Sequence, residues 1–131
     1  EMFMIRDNST GLCLQTEGNG LIGARCDAAS TWQRWTLANA GRSLQNGASS
    51  ACMDANAGAR DRRGSQVFLY QCMDGNAMQE WRLTNGNIQW SDLCVEGNAV
   101  GAKLKLQYCG DFLQKKRGPF EMFDLRVMKP R

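Results

Sequence analysis

The chain has 131 residues, a hydrophobic content of 43% and a formal net charge of +3. This length fits one domain, which we expect to span residues 1–131 and to bury about two-thirds of the surface of the unfolded chain. No apolar run approaches the roughly 20 residues that a membrane-spanning helix needs. Aromatic residues are not interleaved with the basic clusters, which argues against a nucleic-acid partner.

The sequence also lacks the residues that most catalytic and metal sites need. It contains no histidine, no serine elbow motif and no phosphate-binding loop of the Gly-x-x-x-x-Gly-Lys type. No Cys-x-x-Cys pair occurs, which disfavours a zinc site. We therefore expect no catalytic residue, no metal and no cofactor, and hence no enzyme.

Short β-strands separated by turns are predicted along the chain. Candidate strands lie at residues 3–5, 66–70, 87–90 and 103–106, and turn signals rich in Gly and Asn, such as residues 17–20, 46–47 and 85–87, fall between strands. Short strands at such spacing indicate an all-β barrel or sandwich. No window keeps a 3.6-residue apolar period, so helices should be no longer than short turns.

One pattern occurs three times: a cysteine, a second cysteine, and then a Gln-x-Trp block. The first cysteines lie at positions 13, 52 and 94, in steps of 39 and 42 positions. The blocks close on Trp35, on Trp81 and, in the degenerate copy Glu121-Met122-Phe123, on Phe123. A period of about 40 residues is typical of folds built from repeated units.

Three copies of a four-stranded unit predict a β-trefoil. The repeats would span about residues 2–40, 41–84 and 85–128. Because each unit is too small to fold alone, the three must share one core. We expect Trp35, Trp81 and Phe123 to converge on that core, while their glutamine companions bind the turn backbone.

The six cysteines fall two to a repeat. Of the many pairings that six cysteines allow, the repeat symmetry selects one disulfide within each repeat. Each would contribute on the order of 3 kcal/mol to stability. Disulfides persist in oxidising compartments, so a secreted or extracellular location is expected. The predicted pairs are Cys13–Cys26, Cys52–Cys72 and Cys94–Cys109.

Two further features bear on location. Asn8-Ser9-Thr10 is a glycosylation sequon, which is consistent with secretion. No secretory signal peptide is present, so we expect either a mature chain or a fragment of a longer, multidomain protein.

The order of these motifs matches a known family. Cys-x-Asp, a strand ending in aromatic-x-Cys, and Gln-x-Trp in that order resemble the ricin B-type (R-type) lectins, and the likeness covers essentially the whole chain. Residues 3–5, 69–72 and 79–81 are most similar to the cysteine-rich R-type domain of mannose-receptor-type proteins. The resemblance implies carbohydrate binding without catalysis, in shallow pockets beside the repeats.

The resemblance implies a sugar site in the second repeat. An acidic residue two places after the first cysteine accepts hydrogen bonds from two sugar hydroxyls, and such charge-assisted bonds are strong. An aromatic residue two places before the second cysteine stacks on the apolar face of the sugar ring. Met78 stands where the family has a polar amide, and Asn76 is the candidate substitute. The predicted site residues are Asp54, Phe68, Tyr70, Asn76 and Gln79, with Phe68 and Tyr70 facing the pocket by strand alternation.

The other two repeats depart from this pattern. In the first repeat Gln15 and Ala24 replace the acidic and aromatic residues, so no sugar is expected there. Trp32 is expected to pack in the core, with a position at the surface as the alternative. In the third repeat a basic loop beside an aromatic residue would suit a sulfated or carboxylate-bearing glycan, and a solvated charged loop is the alternative. The residues of this second candidate carbohydrate site are Glu96, Gln107, Lys116, Arg117 and Phe120.

Two functions therefore stay open. The first is a lectin module that recognises galactose- or N-acetylgalactosamine-type glycans, sulfated forms included, on extracellular glycoconjugates. Its partners would be glycans or glycoproteins, with no membrane insertion. The alternative is a β-trefoil protein-interaction or inhibitor module with vestigial sugar pockets, which the replacements Gln15, Ala24 and Met78 favour.

Overall fold

The computed structural model describes residues 1–56, 63–96, 100–109, 117–126 and 129–130. In these ranges the chain forms thirteen β-strands and two 3-10 helices, Thr31–Gln33 and Ala77–Gln79. No helix in them is long and apolar enough to cross a membrane. The predicted all-β class is confirmed. The strands are β1 (Phe3–Asp7), β2 (Leu12–Glu17), β3 (Gly20–Arg25), β4 (Trp35–Ala38), β5 (Ser43–Asn46), β6 (Ala51–Asp54), β7 (Phe68–Gln71), β8 (Arg82–Thr84), β9 (Asn87–Trp90), β10 (Leu93–Glu96), β11 (Lys105–Tyr108), β12 (Phe120–Asp124) and β13 (Lys129–Pro130).

Antiparallel pairing closes six of these strands into a barrel. Strands β12, β1, β4 and β5 pair in succession, and β8 pairs with β9. Backbone bonds join the two groups: Trp81 N–H donates to Arg42 O over 2.8 Å, and Phe120 N–H donates to Gly86 O over 2.9 Å. Closure leaves few unpaired strand edges. The remaining strands of the three repeats form the hairpins β2–β3, β6–β7 and β10–β11.

The three repeats share one apolar core. Equivalent positions of the three hairpins contact one another: Val67 N–H donates to Leu104 O over 3.0 Å, and Leu104 N–H donates to Leu21 O over 2.8 Å. The side chains of all three residues are buried in a single cluster to which every repeat contributes. The β-trefoil predicted from the repeat pattern is confirmed.

Two of the three predicted core aromatic residues belong to this cluster. Trp35 and Trp81 are buried, and their indole Nε1–H groups donate to Leu14 O over 3.2 Å and Met53 O over 2.9 Å. Each acceptor follows the first cysteine of its own repeat, so the two bonds are equivalent. Phe123 is only partly buried and lies outside the cluster. The prediction for Phe123 is wrong.

Phe120 occupies the core position of the third repeat instead. Phe120 pairs with Asp7 at the start of β12, as Trp35 pairs with Asn46 at the start of β4. Only 7% of Phe120 is exposed, and its ring belongs to the shared cluster. Strand alternation then turns Phe123 to the opposite face of β12. Because Phe120 is a core residue, its buried ring does not fit a place in the second candidate carbohydrate site.

Each repeat contains one disulfide, and the pairs are those predicted from the repeat symmetry, Cys13–Cys26, Cys52–Cys72 and Cys94–Cys109. In every case the first cysteine lies in the second strand of the repeat, and the second cysteine directly follows the third strand. The hairpin registers are equivalent as well. The residues directly opposite the first cysteines are Ala24, Tyr70 and Gln107.

Candidate functional site

A cavity of about 490 Å³ opens beside the β6–β7 hairpin of the second repeat. Cavities of this volume are typical of small-molecule sites. Four of the five residues predicted for a site in this repeat line it, namely Asp54, Phe68, Tyr70 and Asn76. The fold therefore brings these side chains together, although they come from three separate segments of the repeat.

Asp54 forms the inner wall of the cavity, with 6% of its surface exposed. Pairing of β6 with β7 places it opposite Phe68. Within the described residues two donors hold its carboxylate: the Asn56 backbone N–H donates to Oδ1 over 2.6 Å, and the Gln79 side-chain amide donates to Oδ2 over 3.1 Å. A carboxylate accepts about four hydrogen bonds. Each oxygen of Asp54 therefore keeps capacity for a further donor from a ligand.

Gln79 is buried beneath the cavity rather than exposed at its surface. Its side-chain Oε1 accepts from Met73 N–H over 2.9 Å, and its Nε2 donates to Gln71 O over 2.8 Å as well as to Asp54. The first two bonds are the turn-backbone contacts expected of this glutamine. The structure corrects the prediction that Gln79 contacts the sugar, since a fully buried amide can only position Asp54.

Strand alternation presents an aromatic ring at the edge of the cavity. Val67 and Leu69 point into the core, whereas Phe68 is half-buried and Tyr70 is 60% exposed. This is the alternation predicted from the sequence. An exposed ring is a rigid apolar surface that loses little entropy on binding. The cavity thus combines a hydrogen-bond acceptor at its base with an apolar face at its rim.

Asn76 caps the 3-10 helix that carries Gln79. Its Oδ1 accepts from Met78 N–H over 3.0 Å, and its Nδ2 lies 4.0 Å from Met73 Sδ, a weak acceptor. The amide protons of Asn76 therefore remain able to bind a ligand. Met78 lines the same cavity without a polar group of its own. Asn76 is placed to supply the amide that Met78 lacks.

Two polar residues that line the cavity, Asn19 and Asn56, were not predicted from the sequence. Asn56 carried a usable signal, because it follows Asp54 by two positions and asparagine tolerates the positive φ of 45° found there. Asn19 belongs to the first repeat. Nothing within the second repeat points to its presence.

Comparison with known families gives a match to the ricin-type β-trefoil lectin domain over residues 40–122. The chain belongs to this family. The matched range includes β6, β7 and the Gln79 turn, and so contains most of the cavity described above. No match was found among curated proteins.

Similar solved structures share the trefoil fold. A non-toxic homologue of type II RIPs from Momordica charantia (bitter gourd), in complex with α-methyl-D-galactoside, is 18% identical with a TM-score of 0.75, over 95% of this chain and 48% of that chain. The chain thus spans about half the length of the bitter gourd protein. The designed 3-fold symmetric protein ThreeFoil is 18% identical with a TM-score of 0.72, over 94% and 98% of the two chains. The C-half of the earthworm R-type lectin, in complex with GalNAc, is 15% identical with a TM-score of 0.69, over 93% and 97%.

In this R-type lectin domain the first repeat keeps the buried glutamine frame of the second without its carboxylate and its aromatic ring. The buried side chain of Gln33 binds the turn backbone as its counterpart does, and its Nε2 donates to Gln15 Oε1 over 3.0 Å. A neutral amide therefore replaces the carboxylate of Asp54. Ala24, opposite Cys13, offers no ring on which a sugar could stack.

Trp32 is exposed in the same repeat, which contradicts the prediction that it packs in the core. Its exposed fraction is 48%. The 3-10 helix Thr31–Gln33 turns Gln33 inward to its backbone partners, and the preceding side chain consequently points outward. Apolar character alone was a poor guide at this position.

The third repeat does not assemble the second candidate site as predicted. Glu96 and Gln107 line a cavity of about 170 Å³. Arg117 and Phe120 line a different cavity of about 210 Å³. Lys116 lies outside the described residues. Of the described residues of the predicted site, Glu96 and Arg117 therefore line different cavities.

The third repeat of this lectin domain also lacks the positioning glutamine. In the other repeats a glutamine precedes the core aromatic residue by two positions, whereas here that position is Gly118. A Cβ atom on Gly118 would collide with Gly86 O and with the side chain of Asn87. Gly118 therefore cannot supply Glu96 with the amide that Gln79 supplies to Asp54, and the side chain of Glu96 is exposed.

Proposed function

We propose that the chain is a carbohydrate-binding lectin module whose second repeat binds a galactose- or N-acetylgalactosamine-type sugar. The observation that carries this proposal is that the Asp54 carboxylate and the Tyr70 ring line one cavity. Membership of the lectin family supports it. So do the sugars bound by two similar proteins, α-methyl-D-galactoside in the bitter gourd protein and GalNAc in the earthworm lectin.

The chemistry of the site suits a hexose. Two neighbouring hydroxyls would donate to the remaining lone pairs of Asp54 Oδ1 and Oδ2, and bonds to a charged acceptor are the stronger kind. The apolar face of the sugar would pack on Tyr70, and Asn76 would donate from its amide. One shallow pocket of this kind binds with a Kd in roughly the millimolar range, near −4 kcal/mol. Higher avidity would need several sites acting together.

The proposed activity is binding without catalysis. A glycosidase of the common type needs two carboxyl groups that flank a single glycosidic bond. Asp54 and Glu96 belong to different repeats and line separate cavities. A catalytic domain elsewhere in a longer protein would use such a module to reach its glycan.

A single trefoil domain over residues 1–131 in a secreted or extracellular setting completes the proposal. Three disulfides are stable in an oxidising compartment. Asn8 of the sequon is exposed in the turn after β1, where a glycan could be attached. A closer kinship with the cysteine-rich domain of mannose-receptor-type proteins rests on residues 69–72 and 79–81 and stays a hypothesis.

A sulfated ligand at the third repeat has less support than a neutral sugar at the second. Arg117 lines a cavity other than that of Glu96, and the ring of Phe120 is buried. GalNAc and its 4-sulfated form should therefore be compared directly as probes. Tighter binding of the sulfated form, abolished by Arg117→Ala, would establish the anionic site.

A glycan array probed with the whole chain, followed by calorimetric titration with methyl β-galactoside and GalNAc, tests the main proposal. We expect Asp54→Ala to weaken binding by tenfold or more, because the principal acceptor is lost. Glu96→Ala is the matched control, since it removes the carboxylate at the same register of the third repeat. Unchanged binding in the Asp54 variant would remove the second-repeat site.

The protein-interaction alternative has one observation in its favour, the exposure of Trp32 in a repeat that lacks sugar-binding groups. Under this alternative the array would be blank. A protein partner would then bind with an affinity that free galactose does not change and that Trp32→Ala reduces.

A further inference from the structure

The cavity of the second repeat is built by two repeats rather than one. The tip of the β2–β3 hairpin, which belongs to the first repeat, lies against the start of β7. Gly20 pairs with Phe68, and Leu69 N–H donates to Asn19 O over 2.8 Å. The Asn19 side chain also lines the cavity. The cavity therefore extends along β7 from Tyr70 to the hairpin of the neighbouring repeat.

The third repeat fixes this hairpin tip from its other side. Lys103 Nζ donates to Glu17 O over 2.6 Å. The tip is packed so closely that a Cβ atom on Gly20 would collide with the side chains of Gln66 and Lys103. Contacts from the second and third repeats thus hold the backbone that carries Asn19. A group held in place before binding loses less entropy when a ligand arrives.

The side-chain amide of Asn19 has hydrogen-bonding capacity to spare. This amide makes no hydrogen bond to any residue in the described ranges. The hydrogen bond from Leu69 N–H goes to the backbone oxygen of Asn19. An amide offers two donors and one acceptor, which suits sugar hydroxyls. Asn19 lies opposite Leu69, whose N–H donates to its backbone oxygen, on a hairpin roughly 5 Å to the side of β7, and Tyr70 is the next residue along β7. A sugar stacked on the Tyr70 ring would leave Asn19, beside that strand, to the next sugar unit.

We propose that Asn19 forms an extension subsite, in which its amide hydrogen-bonds the second sugar of a disaccharide whose first sugar is bound by Asp54 and Tyr70. This inference rests on the proposed function of the second repeat. It gives the first repeat, which has no binding groups of its own, a part in the specificity of its neighbour.

The test compares two ligands that share one galactose ring, methyl β-galactoside and lactose. Calorimetric titration of the whole chain should show lactose binding about threefold to tenfold more tightly, the range that one or two added hydrogen bonds would give. Asn19→Ala should bring the ratio of the two affinities close to one. Its affinity for methyl β-galactoside should stay within about twofold of the unmodified chain, which also shows that the variant is folded.

The remaining outcomes separate the two proposals. Equal affinities of the unmodified chain for the two ligands, or a ratio that survives Asn19→Ala, would overturn the extension subsite alone. If Asn19→Ala lowered the affinity for both ligands by the same factor, the extension subsite would also be overturned, because Asn19 would then act on the first sugar or on the fold. No binding of either ligand, or full binding in Asp54→Ala, would overturn the proposed function itself.

Discussion

The second and third repeats carry a carboxylate at the same position and yet offer different cavities. Asp54 and Glu96 both follow the first cysteine of their repeat by two places, but the cavities beside them measure about 490 and 170 Å³. One cause lies within the repeat: Gln79 holds Asp54, whereas the equivalent position of the third repeat is Gly118. The carboxylate of the motif is thus not sufficient to form a cavity like that of the second repeat.

The other cause lies in the neighbouring repeat. The third strand of the second repeat, β7, meets only the tip of a tight hairpin. The third strand of the third repeat, β11, meets part of the longer β6–β7 connection: Gly64 N–H donates to Leu106 O over 2.6 Å, and Gln66 bridges to Lys105. The Arg63 guanidinium lies 4.6 Å from the ring centroid of Tyr108. The length of the neighbour's hairpin therefore limits the space beside each repeat.

The largest predicted effect concerns the core aromatic residue of the third repeat. Phe120→Ala should lower the free energy of unfolding by about 3–5 kcal/mol, because it empties a position in the shared cluster. Phe123→Ala, in the same strand, is the matched control and should cost about 1 kcal/mol or less, the usual scale for a partly exposed residue. Denaturant unfolding of both variants measures the difference. A larger loss of stability for Phe123→Ala would mean that Phe123, as expected from the sequence, is the core aromatic residue of the third repeat.

The error at this position is instructive because the sequence contained a signal that favours Phe120. The core tryptophans follow the second cysteine of their repeats by nine positions, at 26 to 35 and 72 to 81. Phe120 follows Cys109 by eleven positions, and Phe123 follows it by fourteen. The spacing therefore favoured Phe120, whereas the degenerate block Glu121-Met122-Phe123 favoured its neighbour. Burial in the shared core decides the register.

The next effect separates stability from binding. Gln79→Ala leaves Met73 N–H, Gln71 O and one oxygen of Asp54 without their partner, so we expect a loss of about 1–3 kcal/mol in stability. Sugar affinity should also fall by roughly tenfold, the equivalent of one hydrogen bond of about 1.4 kcal/mol, because Asp54 is no longer held. Thermal unfolding and calorimetric titration measure the two effects.

Gln33→Ala is the matched control for this variant, since Gln33 makes the equivalent bonds in the first repeat. It should lose similar stability while its sugar affinity stays unchanged. An equal loss of affinity in both variants would mean that general loosening of the fold, and not the positioning of Asp54, explains the effect of Gln79.

The sequence was informative wherever the repeat pattern and strand alternation acted together. The disulfide pairs, the exposure of Tyr70 and the position of Asp54 all follow from the common hairpin register. Contacts between repeats could not be predicted, because they depend on closure of the barrel. Asn19 is the clearest case: it is 35 positions before Asp54 in the chain, and only the folded hairpin brings it to the cavity.

The smallest predicted effect is that a double substitution in the third repeat creates no second sugar site. Glu96→Asp with Gln107→Tyr would give the third repeat the acidic and aromatic residues of the second. We expect the double variant to bind a single galactoside per chain, as proposed for the unmodified chain, because the β6–β7 connection still covers β11 and Gly118 supplies no amide. Calorimetric stoichiometry with methyl β-galactoside measures this. A second bound sugar would show that the two side chains suffice.

A parallel double variant in the first repeat separates the two causes, because that repeat already has its glutamine. Gln15→Asp with Ala24→Tyr places an acidic and an aromatic residue above Gln33, while the third repeat still bridges to β3 through Ile22 and Gly23. We expect one sugar per chain here too, because the third repeat covers β3 and leaves too little space for a sugar beside it. A second bound sugar in this variant, but not in the third-repeat variant, would instead mean that the buried glutamine decides whether a repeat binds sugar.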